Sequence, residues 1–286
     1  MSNEGKPVSE TTKTGRRSWA DVGPRFASAI VLIAVTASAL YIGSYFFAGV
    51  VGAVYGGAYR EWETMVSRAP ISPAGYAMML MVGLSALSFP FAGAIGTALF
   101  VGLACIIALT MGRDGLSWRL GGLVVFGVLI VSILAMRGDG TAGIWAGVYL
   151  GTVVWMTDSA AFFTGRQIGG EKLAPGISPS KTWSGALGGL ALGTGAGVLV
   201  WSVATDSPLW IGVVLSMSIS ILGQAGDLTE SAIKRHFRIK DSGDIIPGHG
   251  GLMDRLDSLT FGAILVLLVG SLHAGYGAVA EGLLYW

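Results

Sequence analysis

The chain has 286 residues, of which 52% are hydrophobic and only 12% are charged, with a formal net charge of +1. About a quarter of the residues of a soluble domain are charged, and a single core of this size could not be covered in water by so few. The composition therefore predicts a polytopic membrane protein, and the near-zero charge excludes the basic field that nucleic-acid binding requires.

The numbers and positions of cysteine and glycine exclude further classes of protein. The single cysteine, Cys105, lies within an apolar run, which excludes a disulfide scaffold, a cysteine zinc site and a CxxC redox motif. The 45 glycines follow no collagen-like period. Small residues let membrane helices approach closely, so we expect tight helix packing.

Taken in chain order, the apolar runs predict an all-α fold with about nine membrane spans. A helix needs about 20 apolar residues to cross the hydrocarbon core. Residues 26–59 carry no charge and are long enough for two short spans that turn near residues 43–49, and residues 74–111 predict two more that turn near residues 89–91. Single spans are predicted over residues 120–136, 142–165, 185–203, 209–226 and 260–284.

The basic residues predict the orientation. With the N-terminus inside and nine spans, 17 of the 18 Lys and Arg residues fall on the inner side, as the positive-inside rule requires. The exception is Arg137, where we expect a substitution to be nearly silent because it lies on the outer side. Residues 1–24 are too polar for a cleaved signal peptide and predict a cytoplasmic tail, followed by a membrane domain over residues 25–286 with the C-terminus outside.

The largest polar segment, residues 223–258, lies between the predicted eighth and ninth spans. Asp227, Glu230 and Ser231 have the spacing of one face of a helix that continues from the eighth span. Asp254 and Asp257 are spaced for one face of a second helix, which leads into the ninth span. Carboxylates on two helices, flanked by Lys and Arg, suit a divalent cation that holds a polyphosphate, and Mg²⁺ is commonly bound by one or two carboxylates plus substrate phosphate. The alternative is a solvated loop whose mixed charges neutralise each other.

The residues of this segment carry a family resemblance. Residues 231–257 read S-A-I-K-R-H-F-R-I-K-D-S-G-D-I-I-P-G-H-G-G-L-M-D-R-L-D. This stretch resembles, at every signature position, the motif of bacterial phosphatidate cytidylyltransferases, also called CDP-diacylglycerol synthases. The chain length, the span layout and the position of the motif before the last span are similar to that family as well.

A second inner segment, residues 158–185, adds to the resemblance. It contains D-S-A-A-F-F-T-G-R from Asp158 to Arg166 and S-P-S-K-T-W-S-G from Ser178 to Gly185. These are similar to the family patterns D-x-x-A-[YF]-x-x-G-R and S-P-x-K-T-x-E-G, with one departure: Ser184 stands where the family usually has Glu. Asp158 falls in the last third of the predicted sixth span, where a bare carboxylate costs at least about 2.5 kcal/mol. We expect it to face a polar cavity; the alternative is a buried polar contact that only orders the helices.

The resemblance implies transfer of the cytidylyl group of CTP to phosphatidic acid, with Mg²⁺ as cofactor and the need for a second cation left open. It implies that Asp227 and Asp254 are metal ligands and that Asp257 is a ligand or a neighbour of one. Expected contacts with the triphosphate and the lipid phosphate are shared among basic and polar residues of both segments: Lys234, Arg235, Lys240, Asp241, Arg255, Asp158, Arg166, Ser178 and Lys181. For each Lys or Arg, a plain surface or headgroup contact is the alternative. His249 is expected to form a substrate or backbone hydrogen bond rather than to act as a base.

Three alternative functions remain open at this stage. A CTP-dependent polyprenol or phytol kinase would transfer the γ-phosphoryl group instead, and a relative acting on an ether lipid is a further enzyme alternative. A secondary transporter is the alternative from another class, although mid-membrane charges are nearly absent apart from Asp158 and no inverted repeat is visible.

The same resemblance and the composition predict the membrane location, the side of the active site and the assembly. We expect a multi-pass protein of a bacterial inner membrane, with its active site on the cytoplasmic side and a homodimer as its assembly. Phosphatidic acid must reach that site from the bilayer, which predicts a lateral opening between spans at cytoplasmic depth.

Overall fold

A computed structural model describes residues 22–243, 245 and 250–286, with side chains from residue 30 onward, and this part of the chain is helical apart from one short hairpin. His249 and the turn that precedes it therefore lie outside the described residues. The helices are α1 (Val22–Ile42), α2 (Ser44–Ser67), α3 (Pro73–Thr110), α4 (Leu116–Arg137), α5 (Thr141–Ile168), α6 (Trp183–Ala204), α7 (Leu209–His236), α8 (Asp257–Ala274) and α9 (Val279–Leu284). Strands β1 (Lys172–Ala174) and β2 (Ser178–Thr182) pair antiparallel between α5 and α6.

Both long apolar runs are broken close to where the sequence predicts. Between α1 and α2, Gly43 has φ 69° and ψ −157°, a conformation that residues with a side chain rarely adopt. Helix α3 contains Pro90, and at Gly93 its backbone leaves the helical region with φ 57° and ψ −150°. Proline removes a helical hydrogen bond and clashes with the preceding turn, so the chain bends here. Each run thus contains two helical arms.

Within the described residues, five helices are long and apolar enough to cross a membrane, namely α3, α4, α6, α7 and α8. Large apolar side chains on them are exposed, among them Ile95 at 73% and Leu272 at 86%. Lipid rather than water suits such surfaces. The fold is therefore that of a multi-pass, all-α membrane protein, whereas the count of nine spans and their orientation stay predictions.

The prediction of one span over residues 260–284 is wrong. Helix α8 ends at Ala274, Gly275 has φ 88°, and a 3-10 turn at Tyr276–Ala278 leads into the short α9. Helix α9 folds back on α8, since His273 Nδ1 lies 2.8 Å from the carbonyl oxygen of Gly282 and the His273 ring stacks on Trp286. Hydropathy could not reveal this reversal because both arms are apolar.

The predicted close packing by glycine is confirmed between α5 and α6. Gly185, Gly189, Gly193 and Gly197 recur every fourth residue, so they line one face of α6. A Cβ atom at Gly185 would lie 2.8 Å from the carbonyl oxygen of Ala161, and one at Gly189 would lie 2.7 Å from that of Thr157. This contact holds the β hairpin and the end of α5 beside each other.

The structure gives Arg137 a structural role that its position on the predicted outer side did not indicate, whereas the small effect expected on activity stays a prediction. Its side chain is only 4% exposed, and its guanidinium donates to the carbonyl oxygens of Leu40 at 2.5 Å, Gly138 at 2.9 Å, Gly140 at 3.3 Å and Tyr41 at 3.3 Å. Those acceptors lie at the end of α1 and between α4 and α5. Arg137 therefore joins three helices at their termini, where carbonyl groups lack intrahelical partners.

Candidate active site

The two polar segments meet at the end of the helical bundle opposite Arg137. Helices α5 and α7 run toward this end, and α6 and α8 leave it. Ser258 Oγ of α8 donates to Asp158 Oδ1 of α5 at 3.1 Å, and Lys181 of β2 contacts Asp227 of α7. Residues separated by up to a hundred positions in sequence thus share one site.

Asp227 is paired with the hairpin. Lys181 Nζ lies 2.5 Å from Asp227 Oδ2, and both side chains are about a quarter exposed. Ser231, one turn later on α7, donates to Asp227 Oδ1 at 3.4 Å. The predicted helical face of α7 is confirmed, because α7 continues without a break to His236.

Asp254 forms a second ion pair, with Lys234 of α7. Its Oδ1 accepts from Lys234 Nζ at 2.5 Å, and the same ammonium group lies 3.1 Å from Glu230 Oε1. Burial raises the pKa of Asp254, but the bond from Lys234 and the hydroxyl and amide bonds from Ser242 outweigh that cost and hold the pKa below its ordinary value. Asp254 is therefore a carboxylate near neutral pH.

Asp254 and Asp257 do not share the one helix that their spacing predicts. Asp254 lies in a 3-10 turn, Met253–Arg255, and Asp257 is the first residue of α8. Asp257 Oδ1 accepts from the backbone nitrogen of Ser258 at 2.7 Å. A Cβ atom at Gly226 would collide with the carbonyl oxygen of Asp257, so α7 and α8 touch beside Asp227. Asp257 consequently lies within electrostatic reach of Asp227 and Asp158.

The remaining predicted contacts lie around this centre. Arg235 is bound to the backbone, donating to the carbonyl oxygens of Ile177 at 3.2 Å and Ile239 at 3.1 Å, so it ties the hairpin to the end of α7. Ser178 begins β2, on the strand that also carries Lys181. The side chains of Arg166, Lys240, Asp241 and Arg255 are exposed at the same end.

Ser184, at the position where the resembled family usually has Glu, has a structural contact. Its hydroxyl donates to the carbonyl oxygen of Gly169, the residue that ends α5, and lies 3.1 Å from Thr182 Oγ1. Ser184 therefore joins the start of α6 to the end of α5.

The sequence analysis overlooked Glu61. This carboxylate of α2 is 2% exposed and accepts hydrogen bonds from the backbone of Leu252 and Met253, next to Asp254. The signal was a charged stretch, Arg60-Glu61-Trp62-Glu63, at the end of an uncharged run. Its distance of almost two hundred residues from the motif hid the connection.

A mostly apolar cavity of about 280 Å³ adjoins the carboxylates. Tyr55 and Trp62 of α2, Val125 and Phe126 of α4 and Met253 form much of its wall, while Glu230 and Asp257 lie at its polar side. The Tyr55 hydroxyl is buried there without a hydrogen-bond partner in the described part of the chain.

The donor chemistry of the site fits a hard divalent cation. Asp227 and Asp254 carry carboxylate oxygens, the ligand type that Mg²⁺ prefers, and Asp158 and Asp257 lie within electrostatic reach of Asp227. Among the described residues, no group of three or more His, Cys, Asp or Glu side chains is arranged to hold a metal ion. Two carboxylates suit a cation whose other ligands come from water and substrate phosphate.

Comparisons with known proteins identify the family of the chain. The model of the cytidylyltransferase family matches residues 24–273. The phosphatidate cytidylyltransferases of Brucella suis biovar 1 and Brucella melitensis biotype 1 are each 39% identical over 254 residues, which cover 87% of this chain and 93% of the relative. That of Bacillus subtilis is 45% identical over 114 residues, or 40% of this chain and 42% of the relative. The chain therefore belongs to the cytidylyltransferase family and is a nucleotidyltransferase.

Proposed function

We propose that the chain transfers the cytidylyl group of CTP to phosphatidic acid, giving CDP-diacylglycerol and pyrophosphate. The observation that carries this proposal is the pair of carboxylate–lysine contacts, Asp227 with Lys181 and Asp254 with Lys234, next in sequence to Gly226 and Met253, which line an apolar cavity. A lysine that can leave its carboxylate and bind a phosphate suits anionic substrates. The apolar wall of the cavity suits the acyl chains of a lipid. The names of the phosphatidate cytidylyltransferase relatives support the same substrates.

In the proposed reaction, an oxygen of the lipid phosphate attacks the α-phosphorus of CTP. A new P–O bond forms, the bond between the α-phosphorus and the bridging oxygen to the β-phosphorus breaks, and pyrophosphate leaves. A phosphate monoester has a second pKa of about 6, so the lipid phosphate is largely a dianion near neutral pH and no strong general base is required. The difficulty is repulsion between two anions, which catalysis must overcome by positioning and charge neutralisation.

Charged residues of the site would supply that neutralisation. Lys181 and Lys234 would turn from their carboxylates to the phosphates, with Arg235, Lys240, Asp241 and Arg255 at the rim. Arg166 and Ser178 would close the site from the hairpin side, and His249 would donate a hydrogen bond to substrate or backbone. Asp158 would face the cavity at the polar side.

Asp227 and Asp254 would hold Mg²⁺, with Asp257 as a third ligand or a neighbour of the first two. The cation, when bound, would neutralise phosphate charge and the departing pyrophosphate. A second cation is an open part of this proposal.

The cavity between α2, α4, α7 and α8 would accept the acyl chains near the phosphate. Its wall is apolar, and Val125 on α4 is 47% exposed, so one side opens toward lipid. The phosphatidic acid could then reach Asp257 and Glu230 without leaving the bilayer.

The proposed setting is a bacterial inner membrane, with residues 1–24 as a cytoplasmic tail and residues 25–286 as the membrane domain. Nine spans place the N-terminus and both segments, 158–185 and 223–258, inside and the C-terminus outside. The distribution of 17 of 18 basic residues supports this orientation. We further propose that the chain assembles as a homodimer.

The deciding experiment uses purified protein in detergent with phosphatidic acid, Mg²⁺ and CTP labelled separately at the α and γ phosphates. We expect α label in the lipid and γ label in pyrophosphate. Label from γ in the lipid would instead identify a lipid kinase. If neither label moves with several lipids and metals, the enzyme proposal fails, and flux into vesicles without nucleotide would test a transporter.

A further inference from the structure

Glu61 lies on α2, far in sequence from Asp254, and binds the loop before Asp254, here called the motif loop (residues 242, 243 and 250–253). Its Oε1 accepts from the backbone nitrogen of Leu252 at 3.0 Å, and its Oε2 accepts from that of Met253 at 2.9 Å. The Ser242 hydroxyl lies 3.1 Å from Oε2 as a further donor. One carboxylate of α2 thus binds two described parts of the segment before α8, at Ser242 and at Leu252 and Met253.

Ser242 connects this carboxylate to Asp254. Its Oγ lies 2.8 Å from Asp254 Oδ2 and 3.1 Å from Glu61 Oε2, so its single proton is shared between two carboxylates. The backbone nitrogens of Ser242 and Gly251 also donate to Asp254 Oδ2, at 3.1 and 3.2 Å. The donors to Asp254 Oδ2 are therefore on the loop segments that Glu61 binds, whereas Oδ1 is bound by Lys234 of α7.

Two glycines of the motif leave space for the Glu61 side chain. A Cβ atom at Gly243 would lie 2.7 Å from Glu61 Oε1, and one at Gly251 would lie 2.7 Å from Glu61 Oε2. Real Cβ atoms do not approach an oxygen so closely. A side chain at either position would therefore displace the Glu61 carboxylate from this place.

The neighbouring carboxylate on the same helix has a different partner. Glu63 is 1% exposed and forms an ion pair with Arg119 of α4, whose Nε lies 2.9 and 3.0 Å from the two carboxylate oxygens. Within the described residues, Glu61 has no ion-pair partner, so its charge depends on the three hydrogen-bond donors of the loop. A buried charge without such donors is costly, which couples Glu61 tightly to the loop conformation.

We infer that Glu61 is a positioning residue for the proposed reaction: through Ser242 and the amides of the loop, it sets the orientation of the Asp254 carboxylate. This inference rests on the proposed function only for its kinetic consequence, because the contacts themselves can be tested without substrate. It adds α2 to the elements that build the site.

The test compares Glu61→Gln with Glu63→Gln, the same chemical change at two buried positions of one helix. A glutamine has one acceptor oxygen, so Glu61→Gln leaves at least one loop donor facing an amide NH₂ group. We expect faster hydrogen–deuterium exchange, measured by mass spectrometry, in peptides that contain Leu252 and Met253. We also expect kcat to fall by about 10- to 100-fold, since small misplacements of reacting groups have effects of that order, with the KM for phosphatidic acid nearly unchanged.

Glu63→Gln is expected to lower the thermal unfolding temperature but to leave exchange in those peptides and the kcat of the folded protein unchanged. Ser242→Ala removes the bridge without altering α2, and we expect a fall in kcat in the same direction, with no further fall when it is combined with Glu61→Gln. Equal exchange and kcat in Glu61→Gln and Glu63→Gln, or additive losses in the double variant, would overturn the inference. If the unaltered chain transfers no cytidylyl group, the proposed function fails, while the exchange comparison still decides whether Glu61 holds the loop.

Discussion

The two ends of the helical bundle satisfy their buried charges in opposite ways. At one end, Arg137 donates only to backbone carbonyl groups, which belong to helix termini and cannot move without moving the helices. At the other, the ammonium groups of Lys181 and Lys234 are paired with the side-chain carboxylates of Asp227 and Asp254. A guanidinium bound by helix-terminal carbonyl groups stabilises the fold, whereas a lysine and a carboxylate on two side chains can separate and each bind a ligand.

This comparison also separates the two buried glutamates of α2. Glu63 has a structural role because its pair with Arg119 is almost fully buried, with side chains 7% and 1% exposed, whereas those of the Lys181–Asp227 pair are about a quarter exposed. Glu61 is held by the loop that carries Asp254 and so belongs with the site. The following predictions test the distinction, beginning with the largest expected effect.

Asp227→Asn and Asp254→Asn should each abolish turnover while the protein remains inserted and folded, because each removes a negative charge proposed to hold the cation. Label transfer from CTP to lipid measures the loss, and thermal unfolding measures folding. Asp206→Asn is the matched control, since Asp206 is exposed in the loop between α6 and α7 at the opposite end. Full activity in either of the first two variants would remove the metal assignment.

Arg137→Ala should destabilise the protein without changing the activity of each folded molecule. The change removes hydrogen bonds from a charged donor, which contribute about 1.5–3 kcal/mol each. The free energy of unfolding should therefore fall by at least the contribution of one such bond, about 1.5 kcal/mol. Thermal unfolding in detergent provides the measurement. Arg113→Ala, at an exposed position, should leave the unfolding temperature unchanged; an equal shift in both variants would contradict a structural role for Arg137.

Lys181→Ala should raise the KM for CTP with little effect on stability. The Lys181–Asp227 pair is partly exposed, and such pairs contribute no more than about 1 kcal/mol to folding. Steady-state kinetics with CTP as the varied substrate tests the change. Lys172→Ala, on the neighbouring strand β1, is the control for a general loss of positive charge, and a similar KM shift there would argue against a specific contact by Lys181.

Val125→Trp should give the smallest effect, a severalfold rise in the KM for phosphatidic acid with the KM for CTP unchanged. The larger ring would fill part of the cavity proposed for the acyl chains. Val124→Trp is closely matched, because Val124 is the preceding residue, is 55% exposed and is not part of the cavity wall. Equal kinetics in the two variants would place the lipid elsewhere.

The helices and most of their breaks could be predicted because their causes lie in short stretches of sequence. Long uncharged runs form membrane helices because unpaired backbone groups are costly in lipid, and Gly43, Pro90 and Gly93 break two of those runs for stereochemical reasons. The reversal at Gly275 was missed because a second apolar arm has the same hydropathy as a continuing helix. The roles of the site residues stay predictions, although the structure brings most of their side chains to one end.

The sequence by itself determined the protein class, the all-α membrane fold and the family motif, since each depends on residue type and on spacing along the chain. Only the tertiary structure decided which charges meet. Arg137 was predicted to be silent and is buried, and Glu61 had no motif around it and contacts the loop before Asp254. A buried charge is defined by partners that pack against it from other helices, and those partners lie tens to almost two hundred residues away along the chain.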